Sequence, residues 1–120
     1  SNESLCAVRA AMYLETLGAA GLVEMARRNV QKAAYAADVL GTVPGLELKF
    51  KAPFFNEFVV RTRRPWAEVA DALKKKGILA GLALAPDYPE LADCGLICVT
   101  ETKSREDIDQ LARALQEVLR

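Results

Sequence analysis

Two short polar stretches hold most of the residues that could do chemistry in this chain. Asn56 and Glu57 interrupt the otherwise apolar run Pro53-Phe54-Phe55-Asn56-Glu57-Phe58-Val59-Val60. Side chains alternate along a strand, so one of the pair is expected on the opposite face from the other. Hydrogen bonding across a domain or subunit interface suits them better than proton transfer, because a lone Glu lacks an acid, base or metal partner. A strand-edge amide beside a solvated carboxylate is the plain alternative. The second stretch, Thr100-Glu101-Thr102-Lys103-Ser104-Arg105, reads as a strand-to-helix junction. Hydroxyls and N–H groups at a helix start can hold an anion, with Lys103 and Arg105 assisting. Glu106, Asp107 and Asp109 compete for the same dipole, so a well-capped helix with solvated charges is the rival reading.

Other clusters are weaker. Lys74-Lys75-Lys76 falls in the last turn of an expected helix, where cations are favoured by the carbonyl end of the dipole. Arg61, Arg63 and Arg64 beside Trp66 lack the further aromatics and net positive charge of a nucleic-acid surface. The glycines form no phosphate loop of standard spacing. Histidine is absent, which removes His-based triads and imidazole-ligated metal sites. Cys6, Cys94 and Cys98 are the three cysteines. On a strand, Cys94 and Cys98 share a face, yet too few ligands surround them for a metal, so they are expected to be reduced, buried small residues.

The elements that position these residues fit one domain-sized chain of 120 residues, 52% hydrophobic and 27% charged, with a formal net charge of zero. That balance offers no global field for nucleic acid or anionic lipid. No apolar run approaches a membrane span and no signal peptide opens the chain, so a cytoplasmic protein is expected. The start at Ser1-Asn2 without Met suggests a fragment lacking a larger upstream part, or in part an expression scar.

Apolar spacing predicts a helix over residues 4–17, with Leu5, Val8, Met12 and Leu17, stopping at Gly18. A long second helix over 20–40 carries Leu22, Met25, Ala26, Val30, Ala33, Ala37 and Leu40, and ends before Pro44-Gly45. Strands are expected at 46–51, 55–61, 78–84 and 96–100, with helices at 66–76 and 105–119. Ser104 and Asp107 have capping-box spacing. The order is α-α-β-β-α-β-β-α. It divides into a helical segment, 1–41, and an α+β domain, 42–120, whose small, mostly antiparallel sheet has its helices on one face.

The two opening stretches, with Ser1-Asn2-Glu3-Ser4-Leu5-Cys6, Gly77-Ile78-Leu79-Ala80-Gly81-Leu82 and Cys98-Val99-Thr100-Glu101-Thr102-Lys103-Ser104-Arg105-Glu106-Asp107-Ile108, resemble one family over nearly the whole chain. It is the C-terminal part of the first subunit of two-subunit bacterial glycine dehydrogenase (decarboxylating), the P-protein of the glycine cleavage system. The resemblance implies the C-terminal small domain of a fold-type-I pyridoxal-phosphate enzyme, in a subunit that does not itself catalyse. It implies a complex with the second subunit, a heterotetramer, that decarboxylates glycine with pyridoxal phosphate and passes the aminomethyl group to lipoylated H-protein. No catalytic, cofactor-binding or metal residue is then expected here. Asn56, Glu57, Thr100, Glu101, Thr102, Lys103 and Arg105 become candidates for an interface or active-site edge. Many related small domains hold the substrate carboxylate with a strand Arg. Leu96-Ile97-Cys98-Val99 has none, which argues against direct substrate binding. The alternatives are a ferredoxin-like regulatory module binding a small metabolite, or the small domain of another pyridoxal-phosphate enzyme such as an aminotransferase or desulfurase. If the larger part is missing, Leu5, Val8, Met12 and Tyr13 should form a bare apolar patch, open to a homodimer contact.

Overall fold

Alanine-rich sequence propagates helix readily, and in the computed structural model, which describes residues 2–120, the chain opens on a long helical stretch, α1 (Glu3–Gly41). Ser1, where the resemblance begins, lies outside the described residues. The stretch consists of the two expected helices joined across a kink. Gly18 interrupts them with non-helical backbone, at φ 62° and ψ 178°, a conformation that only glycine holds at little cost.

The remaining elements are β1 (Leu46–Leu48), β2 (Glu57–Thr62), α2 (Trp66–Lys75), β3 (Leu82–Ala83), a 3₁₀ turn (Pro89–Leu91), β4 (Cys94–Cys98) and α3 (Arg105–Val118). The sheet order is β1-β2-β4-β3, and every pair is antiparallel. Strand boundaries depart from the periodicity. β3 begins only at Leu82, because Gly81 at φ 70° turns the chain away from its neighbour. β4 starts two residues early and ends two early, paired from Glu57↔Cys98 to Arg61↔Cys94.

One face of the sheet carries the core. Phe58 and Val60 of β2 and Ile97 of β4 lie among Trp66, Val69 and Leu73 of α2 and Ile108 and Leu115 of α3. The two helices pack on each other over that face, as expected for an α+β layer. Each fully buried aliphatic side chain contributes about 1.5–3 kcal/mol. The indole of Trp66 is completely buried and lies flat against Gly95, where a side chain has no room. Ser104 caps α3: its Oγ accepts from Asp107 N at 3.1 Å, and its own N–H donates to Asp107 Oδ2 at 2.7 Å.

Only the second half of α1 joins this domain, through β1 and α3. Its buried residues are Asn29, Ala33, Ala36, Ala37 and Leu40. Leu22, Ala26 and Val30, expected on the buried side, are exposed, because the helix has not yet reached the sheet at those positions. The first half projects, with Leu5, Val8, Met12 and Tyr13 exposed as the bare patch requires. In one respect the reading for membranes needs correction. Counted with its alanines, α1 contains an 18-residue window long and apolar enough to cross a membrane, and none of that window is buried. By length and composition alone, a helix that docks on protein passes the same test.

Candidate functional site

The stretch 100–105 is gripped by α1. The carboxamide of the buried Asn29 accepts from Glu101 N at 2.6 Å. One turn on, Lys32 Nζ donates to the carbonyls of Glu101 and Lys103, both at 2.5 Å. A further turn on, the Tyr35 hydroxyl donates to Asp109 Oδ1 at 2.6 Å and accepts from Arg105 Nε at 2.9 Å. The Arg105 guanidinium also lies 4.7 Å from the Tyr35 ring centre, a cation–π distance. Its hydrogen bond to Tyr35 holds the guanidinium pKa above its usual value. Thr100 and Thr102 meet through their hydroxyls at 2.9 Å.

The junction thus brings Thr100, Glu101, Thr102, Lys103 and Arg105 together, but as a clasp between helices. The start of α3 is filled by its own Asp107 carboxylate, and Arg105 is committed to Tyr35. Lys103 offers its carbonyl to Lys32 while its side chain stays exposed. Asn29, Lys32 and Tyr35 were missed by sequence reasoning. A signal existed: polar residues every third position along an alanine stripe, with a poor helix former at Asn29. Replacing Asn29 by leucine should leave the Glu101 N–H unpaired and cost about 1–3 kcal/mol. Amide exchange at Glu101 should quicken well before the sheet opens, and unchanged exchange there would contradict the clasp.

Asn56 and Glu57 do not separate by strand alternation, because β2 begins at Glu57 and Asn56 stands outside it. Asn56 Nδ2 lies 3.8 Å from Cys98 Sγ, and Cys98 is the register partner of Glu57. Both polar residues therefore gather beside one exposed thiol, on the sheet face away from the core. Cys94 is buried on that face as expected, whereas Cys98 is exposed, against the expectation for that pair; Cys6 is exposed as well. Burial pushes the Cys94 thiol up to about 11, with the Asp93 carboxylate adding to it. Two of the three thiols should accordingly react quickly with an aromatic disulfide at mildly alkaline pH, and the third only on unfolding.

At the other end of the sheet an open cleft of about 530 Å³ is lined by Glu47, Arg61, Thr62, Arg63 and Asp93 among others. Arg61 is already paired, Nε to Asp93 Oδ2 at 2.7 Å and Nη1 to Glu47 Oε1 at 3.7 Å. The hydrogen bond from Arg61 holds the Asp93 carboxyl below its usual range. A carboxyl depressed in the folded state adds stability above its unfolded pKa, and that stability is lost as pH falls through the folded value. Asp93→Asn should flatten the acid limb of the stability profile, and an unaltered limb would show the pair to be inert.

Pyridoxal phosphate would require a lysine aimed into an enclosed, phosphate-holding cavity. The Lys32 amine is taken by two carbonyls and Lys76 is bound to Glu117 at 2.6 Å. Lys51, Lys74 and Lys75 are exposed, Lys103 is exposed at a second cleft of about 300 Å³, and the half-buried Lys49 lines neither cleft. Among the described residues no cluster of His, Cys, Asp or Glu could hold a metal.

The family model described as glycine cleavage system P-protein matches residues 1–115. A probable glycine dehydrogenase (decarboxylating) subunit 1 from Desulfitobacterium hafniense is 48% identical over 118 residues, covering 98% of this chain and 26% of its own length. A crystal structure of glycine decarboxylase (P-protein) of the glycine cleavage system, in inhibitor-bound form, matches with a TM-score of 0.89 at 35% identity. That match covers 99% of this chain and 27% of the other. A C-DES mutant with glycine covalently linked to its PLP cofactor matches with a TM-score of 0.66 at 16% identity, over 78% of this chain and 24% of that one. This last likeness concerns the fold alone. The chain spans about a quarter of the length of the curated relatives it matches.

Proposed function

The chain belongs to the glycine cleavage system P-protein family, and we propose that it is the C-terminal small domain of the non-catalytic subunit of glycine dehydrogenase (decarboxylating). The observation that carries this reading is the conjunction of a P-protein fold over 99% of the chain with lysines that are bound to other groups, exposed or away from any cleft. In this reading the second subunit holds the pyridoxal phosphate, which supplies the electron sink for decarboxylating glycine. The aminomethyl group then passes to lipoylated H-protein. The present domain contributes shape. Its α1 stands against the rest of the subunit, and Asn56, Glu57 and the clasped stretch 100–105 form an edge toward the partner. The protein acts in the cytoplasm. A metabolite-binding regulatory module and the small domain of another pyridoxal-phosphate enzyme are not favoured, given the family match.

The test uses the full-length parent subunit, alone and mixed with its cognate second subunit. Glycine-dependent exchange of carbon dioxide is expected only in the mixture. Borohydride should fix pyridoxal onto a lysine of the second subunit, and a label on any lysine of this chain would overturn the reading.

A further inference from the structure

The two halves of α1 meet at a bend whose parts all come from neighbouring residues of the same helix. Unbent, the 39 residues of α1 would span about 58 Å, whereas the whole molecule extends 47 Å along its longest principal axis. Gly18 makes the turn at φ 62° and ψ 178°. A Cβ there would meet nothing within 4 Å, so the dihedral angles, not crowding, call for glycine.

Gly21 supplies room on the inner side. In an unbroken helix, Cβ atoms four residues apart stand about 5–6 Å from each other, but a Cβ at Gly21 would lie 3.2 Å from Leu17 Cβ. The half-buried Leu17 thus folds back onto a position that carries no side chain. Thr16 Oγ1 donates to Met12 O at 2.7 Å, back-bonding of the kind that bends helices. The Tyr13 hydroxyl closes the angle on Met25 Sδ at 3.2 Å. All of these groups lie within residues 12–25, whereas the apolar core begins at Ala33.

We propose that residues 12–25 are a preset elbow, which fixes the angle at which residues 3–17 leave the domain before anything covers that arm. Leu5, Val8 and Met12 are exposed on the arm, and a fixed angle aims them in one direction. An arm that already holds its docked orientation loses less conformational freedom when it is covered. The elbow is a property of this chain alone, whatever the cover.

Pulsed electron resonance between nitroxides on Cys6 and on the thiol introduced by Gln31→Cys tests this in the 120-residue chain. Cys98→Ser removes the other exposed thiol, and dilution with unlabelled chain restricts the reading to distances within one copy. One narrow population is expected, centred at least about 5 Å short of the roughly 38 Å that this separation spans in straight helix. A broad distribution, or one centred at the straight length, overturns the elbow. Gly18→Ala should move the population toward the straight length, since an L side chain holds φ 62° only with strain. Gly18→D-Ala, introduced by joining a synthetic peptide to the expressed remainder, should keep the wild-type distance. For the mirror-image residue the same angles are ordinary extended backbone. Equal distances in the two alanine variants would show that Gly18 does not set the angle, and overturn the proposal. Both variants should keep the wild-type unfolding midpoint, because the core begins at Ala33. A lowered midpoint would tie the bend to the core and overturn its independence.

Discussion

Gly95→Ala is expected to destabilise the protein by at least about 3 kcal/mol, or to prevent folding. A Cβ at Gly95 would lie 2.1 Å from Trp66 Cε2, 2.3 Å from Cδ2 and 2.5 Å from Nε1, where carbon contacts settle near about 3.5–4 Å. The indole cannot withdraw. It is fully buried among the core side chains, and at Gly81 a Cβ would meet Trp66 Cζ2 at 2.8 Å. Trp66 Nε1 has no hydrogen-bond partner, so the ring is kept for its flat shape despite an unpaired donor. Chemical unfolding of the variant measures the loss. Gly41→Ala is the control: its Cβ would meet only Leu48 Cδ1, at 3.5 Å, and helix propensity predicts a neutral or slightly favourable change. Adding Trp66→Leu to Gly95→Ala should recover at least about 1 kcal/mol relative to additivity, because the clash needs both partners. A wild-type midpoint for Gly95→Ala alone would refute the packing argument.

The same pair of residues shows why some of this fold was legible and some was not. The cap of α3 was readable because Ser104 and Asp107 lie within one turn of each other, and the stripe Trp66, Val69, Leu73 because helical spacing reveals a buried face. Nothing near Gly95 in sequence announces the indole that excludes a side chain there. Asn29 was missed for the same reason, since its partner Glu101 lies 72 residues away. Strand ends depended on pairing: Ile78 and Leu79 have strand-forming character, yet Gly81 removes them from the ladder. For the candidate site, the residues of 100–105 were singled out from sequence, but what holds them was not, because their contacts come from a helix placed only by the fold.

Val8→Asp and Met12→Asp are each expected to be nearly silent in the 120-residue chain and damaging in the parent subunit. Val8 and Met12 are 55% and 65% exposed and share a stripe with Leu5, so a carboxylate there meets water and should change stability by no more than about 0.5 kcal/mol. Large apolar patches on soluble proteins mark surfaces that are covered elsewhere. In the parent, covered by the rest of the subunit, the same carboxylate would be desolvated without a partner, at a cost of about 3 kcal/mol or more. The arrangement of this half-helix supports a specific seat. Tyr13 and Met25 would stand about 18 Å apart along a straight helix, yet the bend at Gly18 lets the Tyr13 hydroxyl reach Met25 Sδ at 3.2 Å. Thermal unfolding of each variant in both proteins decides the matter. Equal effects in the two would mean that the rest of the subunit does not cover this stripe. If the wild-type 120-residue chain instead melts higher with increasing concentration, and both variants abolish that dependence, a second copy has taken the place of the missing cover.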